Sequence, residues 1–89
     1  MHEASRMRGL IGRLESLARG ENATRIKRVR IRLGAFSDFL AEDFREHFEQ
    51  ASRGTVAEKA ELEIEVSTDL SDPRAQDVVL ESFDLEVPG

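Results

Sequence analysis

Eighty-nine residues leave room for one small hydrophobic core and no second one. A net charge of −5 and the absence of cysteine exclude a basic nucleic-acid footprint, disulfides, thiolate metal sites and a cysteine nucleophile. No apolar run approaches the ~18 residues of a membrane span and no signal peptide is recognisable, so a soluble, cytoplasmic chain is expected, with neither nucleic acid nor membrane as partner.

Met7, Leu10, Ile11, Leu14, Leu17 and Ala18 recur at helical spacing and predict an amphipathic helix over residues 4 to 19. Gly20 stands where a helix C-cap glycine belongs. Gly9 and Gly12 share a face of this helix, which suggests a second backbone packed closely there. In TRIKRVRIRLG, Val29, Ile31 and Leu33 alternate with Arg28, Arg30 and Arg32, a strand with one apolar and one arginine face.

Ser37 or Asp38 is the expected cap of a second helix, with Glu42 and Asp43 in its first turn. Leu40, Phe44, His47, Phe48 and Ala51 line one side of it, and Gly54 ends it. AELEIEV, residues 60 to 66, is a second strand with Leu62, Ile64 and Val66 inward and Glu61, Glu63 and Glu65 outward. The connector STDLSDPRAQ, residues 67–76, reads as a short turn closing two strands, with Asp72-Pro73 as its turn signal. VVLESFDLEV is the third strand, its alternation interrupted by a bulge or late start between Val78 and Glu81.

The expected fold is therefore α+β, order α-β-α-β-β, with two helices on one face of a three-stranded sheet. If the first two strands pair, Arg28, Arg30 and Arg32 face Glu61, Glu63 and Glu65. That charged face is read either as a solvated sheet surface or as a docking surface for a charged partner. An open sheet edge and a small core leave a homodimer open.

No catalytic triad and no phosphate-binding glycine loop is present, so an enzyme is not expected. The N-terminus has more chemistry. A free α-amine has an ordinary pKa of about 7.7–8.0 and an imidazole about 6.5, so groups of these two types lose protons near neutral pH with modest help. Amine, His2 amide and imidazole can wrap one metal in fused chelate rings, and Glu3 can add a donor. Such a nitrogen and oxygen set suits tetragonal Ni(II) or Cu(II). A cation at a helix N-terminus opposes the helix dipole by ~0.3–1 kcal/mol, which Glu3 partly offsets. An arbitrary histidine at position 2 is more often an ordinary residue, and His47, between Phe44 and Phe48, reads as a packed or boundary histidine.

Met1-His2-Glu3 opening a helix, then RVRIRLGAFS, HFEQASRGT, AEKAELEIE and finally VLESFDLEV, resembles the HypA/HybF family of hydrogenase nickel-incorporation proteins. The terminal MHE together with GTVAEKAELEIE is the most specific part. The resemblance implies a nickel metallochaperone for [NiFe]-hydrogenase that works with a HypB-type GTPase and the hydrogenase large subunit. It carries the nickel site onto His2 and Glu3 with neighbouring backbone nitrogens, and implies a helix that starts late because the residues before it are ligands. Family members hold zinc on two CxxC pairs between the second and third strands. Here the connector 67–76 stands in that place, so one HypA-like nickel-binding domain over 1–89, without zinc, is expected. Loss of the zinc ligands leaves a second reading open, a protein-interaction module acting on maturation partners without metal.

Overall fold

The computed structural model describes residues 2–37 and 40–88, with side chains described from Ser5 onward. Its elements are α1 (His2–Gly20), β1 (Arg25–Leu33), α2 (Ala41–Ser52), β2 (Glu61–Val66) and β3 (Val78–Glu86). This is the expected α+β order. The sheet runs β2-β1-β3, with β1 in the centre, parallel to β2 and antiparallel to β3. A parallel pair needs a crossover, and α2 is that crossover.

The apolar periods decide which faces meet. Met7, Ile11, Leu14 and Ala18 from α1, Ile26, Val29, Ile31 and Leu33 from β1, and Phe44 and Phe48 from α2 form one buried cluster. The two phenyl rings stack with centroids 6.5 Å apart. Both helices therefore lie on the apolar face of the sheet, and Arg28 and Arg30 are exposed on the other face. Arg45 Nη1 donates to the Leu62 carbonyl at 3.0 Å and ties α2 to β2.

Both helix ends differ from expectation. The left-handed residue after α1 is Asn22, with φ of 55°, not Gly20. The Ala23 amide donates to the Ala18 carbonyl at 2.9 Å and the Asn22 amide to Arg19 at 3.1 Å. This six-to-one and five-to-two pair is a Schellman closure, which asparagine can serve in place of glycine. Leu40, not Ser37, occupies the N-cap of α2 and makes no side-chain cap bond; Asp38 lies outside the described residues. Leu40 is 69% exposed, so it does not share the apolar face of Phe44 and Phe48.

Gly9 and Gly12 face open space rather than another backbone: a Cβ at either position would meet nothing within 4 Å. Both are exposed in the interior of α1. Gly12→Ala is therefore expected to stabilise the fold by ~1 kcal/mol through helix propensity. That corresponds to a rise of about 4–8 °C in the thermal midpoint of a chain this size, read by circular dichroism.

The connector after β2 does not close a hairpin. β2 and β3 lie on opposite sides of β1, so residues 67–77 pass across the end of β1. Asp72 does start a turn, accepting at Oδ1 from the Arg74 amide at 2.9 Å. The crossing rests on Gly34: its amide donates to the Asp77 carbonyl at 2.9 Å, and the Phe36 amide donates to Ala75 at 2.6 Å. The β3 bulge falls where the alternation breaks, because Arg30 pairs with Ser82 and Ile31 with Leu80, leaving Glu81 extra. Val66 at the end of β2 is 58% exposed rather than inward.

The arginine face is occupied by carboxylates of the same chain. Arg30 meets Glu63 at 3.0 Å, and Arg28 meets Glu63 at 3.3 Å and Glu61 at 3.4 Å. Hydrogen bonding to Glu63, then its charge, raises the Arg30 pKa. Arg32, in register with Glu65, instead approaches Asp72 and Glu81. Exposed pairs of this kind contribute little to stability. Charges paired this way favour the solvated-surface reading of the face over docking.

Candidate metal centre

The first turn of α1 carries the candidate ligands, and the fold fixes where that turn sits. The far end of α1 leads through Asn22 and Ala23 into the start of β1, where the Thr24 amide meets the Glu86 carbonyl at 2.8 Å. At the near end, Met7 and Leu10 border a groove with Val78 and Leu80, the first half of β3. Val78 pairs with Leu33, the last residue of β1. The N-terminus of α1 thus lies at the end of the molecule where β1 and β2 finish and α2 begins.

The helix starts at His2, not late. Helical backbone at His2 and Glu3 is still compatible with chelation. The first N–H groups of a helix have no intrahelical acceptor, so their nitrogens are not committed to the ladder. The side chains of His2 and Glu3, and all of Met1, lie outside the described residues. Among the described residues no group of three or more His, Asp or Glu side chains is placed to hold a metal.

His47 is half-buried on α2, beside a hollow of about 290 Å³ lined also by Met7, Arg8, Gln50 and Ala51. That is a boundary histidine at the seam between the helices. Arg6, Arg13 and Arg74 border the groove at the near end of α1 and belong to no sequence motif. Their only sign in the sequence was the seven-residue spacing of the first two, which places them on one helix face. No helix among the described residues is long and apolar enough to cross a membrane.

The chain spans a little over half the length of the curated relatives it matches. It is 35% identical over 66 residues to the hydrogenase maturation factor HypA of Methylocella silvestris, covering 74% of this chain and 58% of that one. It is 40% identical over 65 residues to HypA of Chlorobium limicola, covering 73% and 56%. The solution structure of the Ni metallochaperone HypA from Helicobacter pylori superposes with a TM-score of 0.81, covering 97% of this chain and 98% of that one. At 19% identity that likeness concerns the fold. Residues 1–70 match the family model described as hydrogenase/urease nickel incorporation, metallochaperone. The chain belongs to the HypA family.

Proposed function

We propose that this chain is a nickel carrier in [NiFe]-hydrogenase maturation, binding Ni(II) through the Met1 amine, the His2 amide and imidazole, and Glu3. The observation that carries this reading is the family match itself, which begins at residue 1 and so includes all three residues. The chemistry agrees: a terminal amine, an imidazole and an amide without a helical acceptor form a compact nitrogen-rich chelate. Nickel is the cargo, so the chain acts as a carrier and not as an enzyme. Residues 1–89 then act as one nickel-binding unit, with the connector 67–76 in place of a zinc insertion. With no cysteine in the sequence, no thiolate zinc site can form in these residues. A HypB-type GTPase and the hydrogenase large subunit are the partners, in the cytoplasm.

The same lack of cysteine favours a second reading, an interaction module that acts on maturation partners without metal. Blocking the amine separates the two. A chain whose Met1 amine is acetylated lacks the amine donor while keeping His2 and Glu3 in place. Calorimetric Ni(II) titration is expected to give about one nickel per untagged chain and a much weaker or absent site in the acetylated chain. Equal, weak binding by both would favour the interaction module.

A further inference from the structure

Beside α1 lies a groove of about 480 Å³ that the nickel reading does not use. Arg6 and Arg13 of α1 and Arg74 of the connector border it, and Leu10, Val78 and Leu80 line it. All three arginines are exposed. Arg74 pairs with Asp77 at 3.3 Å. Arg6 and Arg13 form no hydrogen bond or ion pair among the described residues. That sets them apart from Arg25, Arg28, Arg30 and Arg32, each of which meets a carboxylate of its own chain. In a chain of net charge −5, two cations left without carboxylates beside an apolar hollow are a local reversal of sign.

We propose that this groove docks an extended, acidic segment of a partner protein, with carboxylates on Arg6 and Arg13 and an apolar side chain over Leu10 and Leu80. Charge complementarity sets the sign of the partner. Two features select a peptide over a small anion. Leu10, Val78 and Leu80 give the hollow an apolar part, which a phosphate would leave uncovered. The groove also runs beside β3, an outer strand of the sheet, whose free edge offers main-chain hydrogen bonds to an added strand. Arginine suits the role because its planar fork matches a carboxylate.

The test uses the intact chain and a phage-displayed library of random peptides. Selected sequences are expected to be rich in Asp and Glu interleaved with apolar residues. A synthetic peptide of the selected consensus, followed by fluorescence anisotropy, is expected to bind more weakly as salt rises. The double variant Arg6→Gln/Arg13→Gln, altered only at exposed side chains, is expected to lose at least about tenfold in affinity. Selection of peptides without acidic enrichment would overturn the proposal, as would unchanged binding by the double variant. Displacement of the peptide by millimolar inorganic phosphate would also overturn it, identifying a small-anion site instead.

Discussion

Gly34→Ala is expected to destabilise the protein by about 2–4 kcal/mol, the sum of overpacking and two impaired backbone hydrogen bonds. A Cβ at residue 34 would fall on the Ala75 carbonyl and lie within 2.7 Å of the Arg74 carbonyl oxygen. Both obstacles are backbone, so no side chain can swing away. The connector must lift instead, weakening the Gly34–Asp77 and Phe36–Ala75 bonds and exposing Ala75, now 6% accessible. An 89-residue domain typically has about 4–13 kcal/mol in total, so the loss is a large share. Urea unfolding is expected to show a lower midpoint with an unchanged slope. Gly12→Ala makes the same chemical change and shifts the midpoint the other way, because its Cβ enters open space. An unshifted midpoint for Gly34→Ala would mean that the connector does not rest on β1.

The second large effect concerns function. His2→Ala removes the imidazole, and with it the chelate ring it closes. Losing a group that merely supports a metal ligand costs ~10–100-fold in affinity, so losing a ligand is expected to cost more than about a hundredfold. Because nickel displaces protons from its nitrogen donors, wild-type affinity should rise with pH. The substitution is expected to leave the fold intact, since residue 2 begins α1 and the described core residues of that helix are Met7, Ile11, Leu14 and Ala18.

Periodicity alone made α1, β1 and the apolar side of α2 legible, because burial on one face imposes a repeat of 3.6 or 2 on the residues that supply it. The same alternation exposed the bulge near Glu81. What escaped was set by relations between distant residues. That β2 and β3 flank β1 depends on α2 acting as a parallel crossover, which no local pattern in AELEIEV or STDLSDPRAQ encodes. Gly34 looked like a strand end, and its packing against Ala75 exists only once the connector has crossed. The helix caps escaped for a subtler reason. Asn22 and Gly20 are both credible closers, and the choice follows from where the chain must turn into β1. At the site, residue types and the position of His2 were readable as chelate chemistry, whereas the arginines of the groove come from segments about sixty residues apart and meet only in the fold.

The carrier function requires that the first residues hold nickel. The most direct measurement is a calorimetric titration of Ni(II) into the untagged chain and its His2→Ala variant, with Zn(II) in parallel. The expected result is about one nickel per wild-type chain at micromolar affinity or tighter, a loss of more than about a hundredfold in the variant, and no tight zinc site. Weak nickel binding of equal strength in both proteins would contradict it.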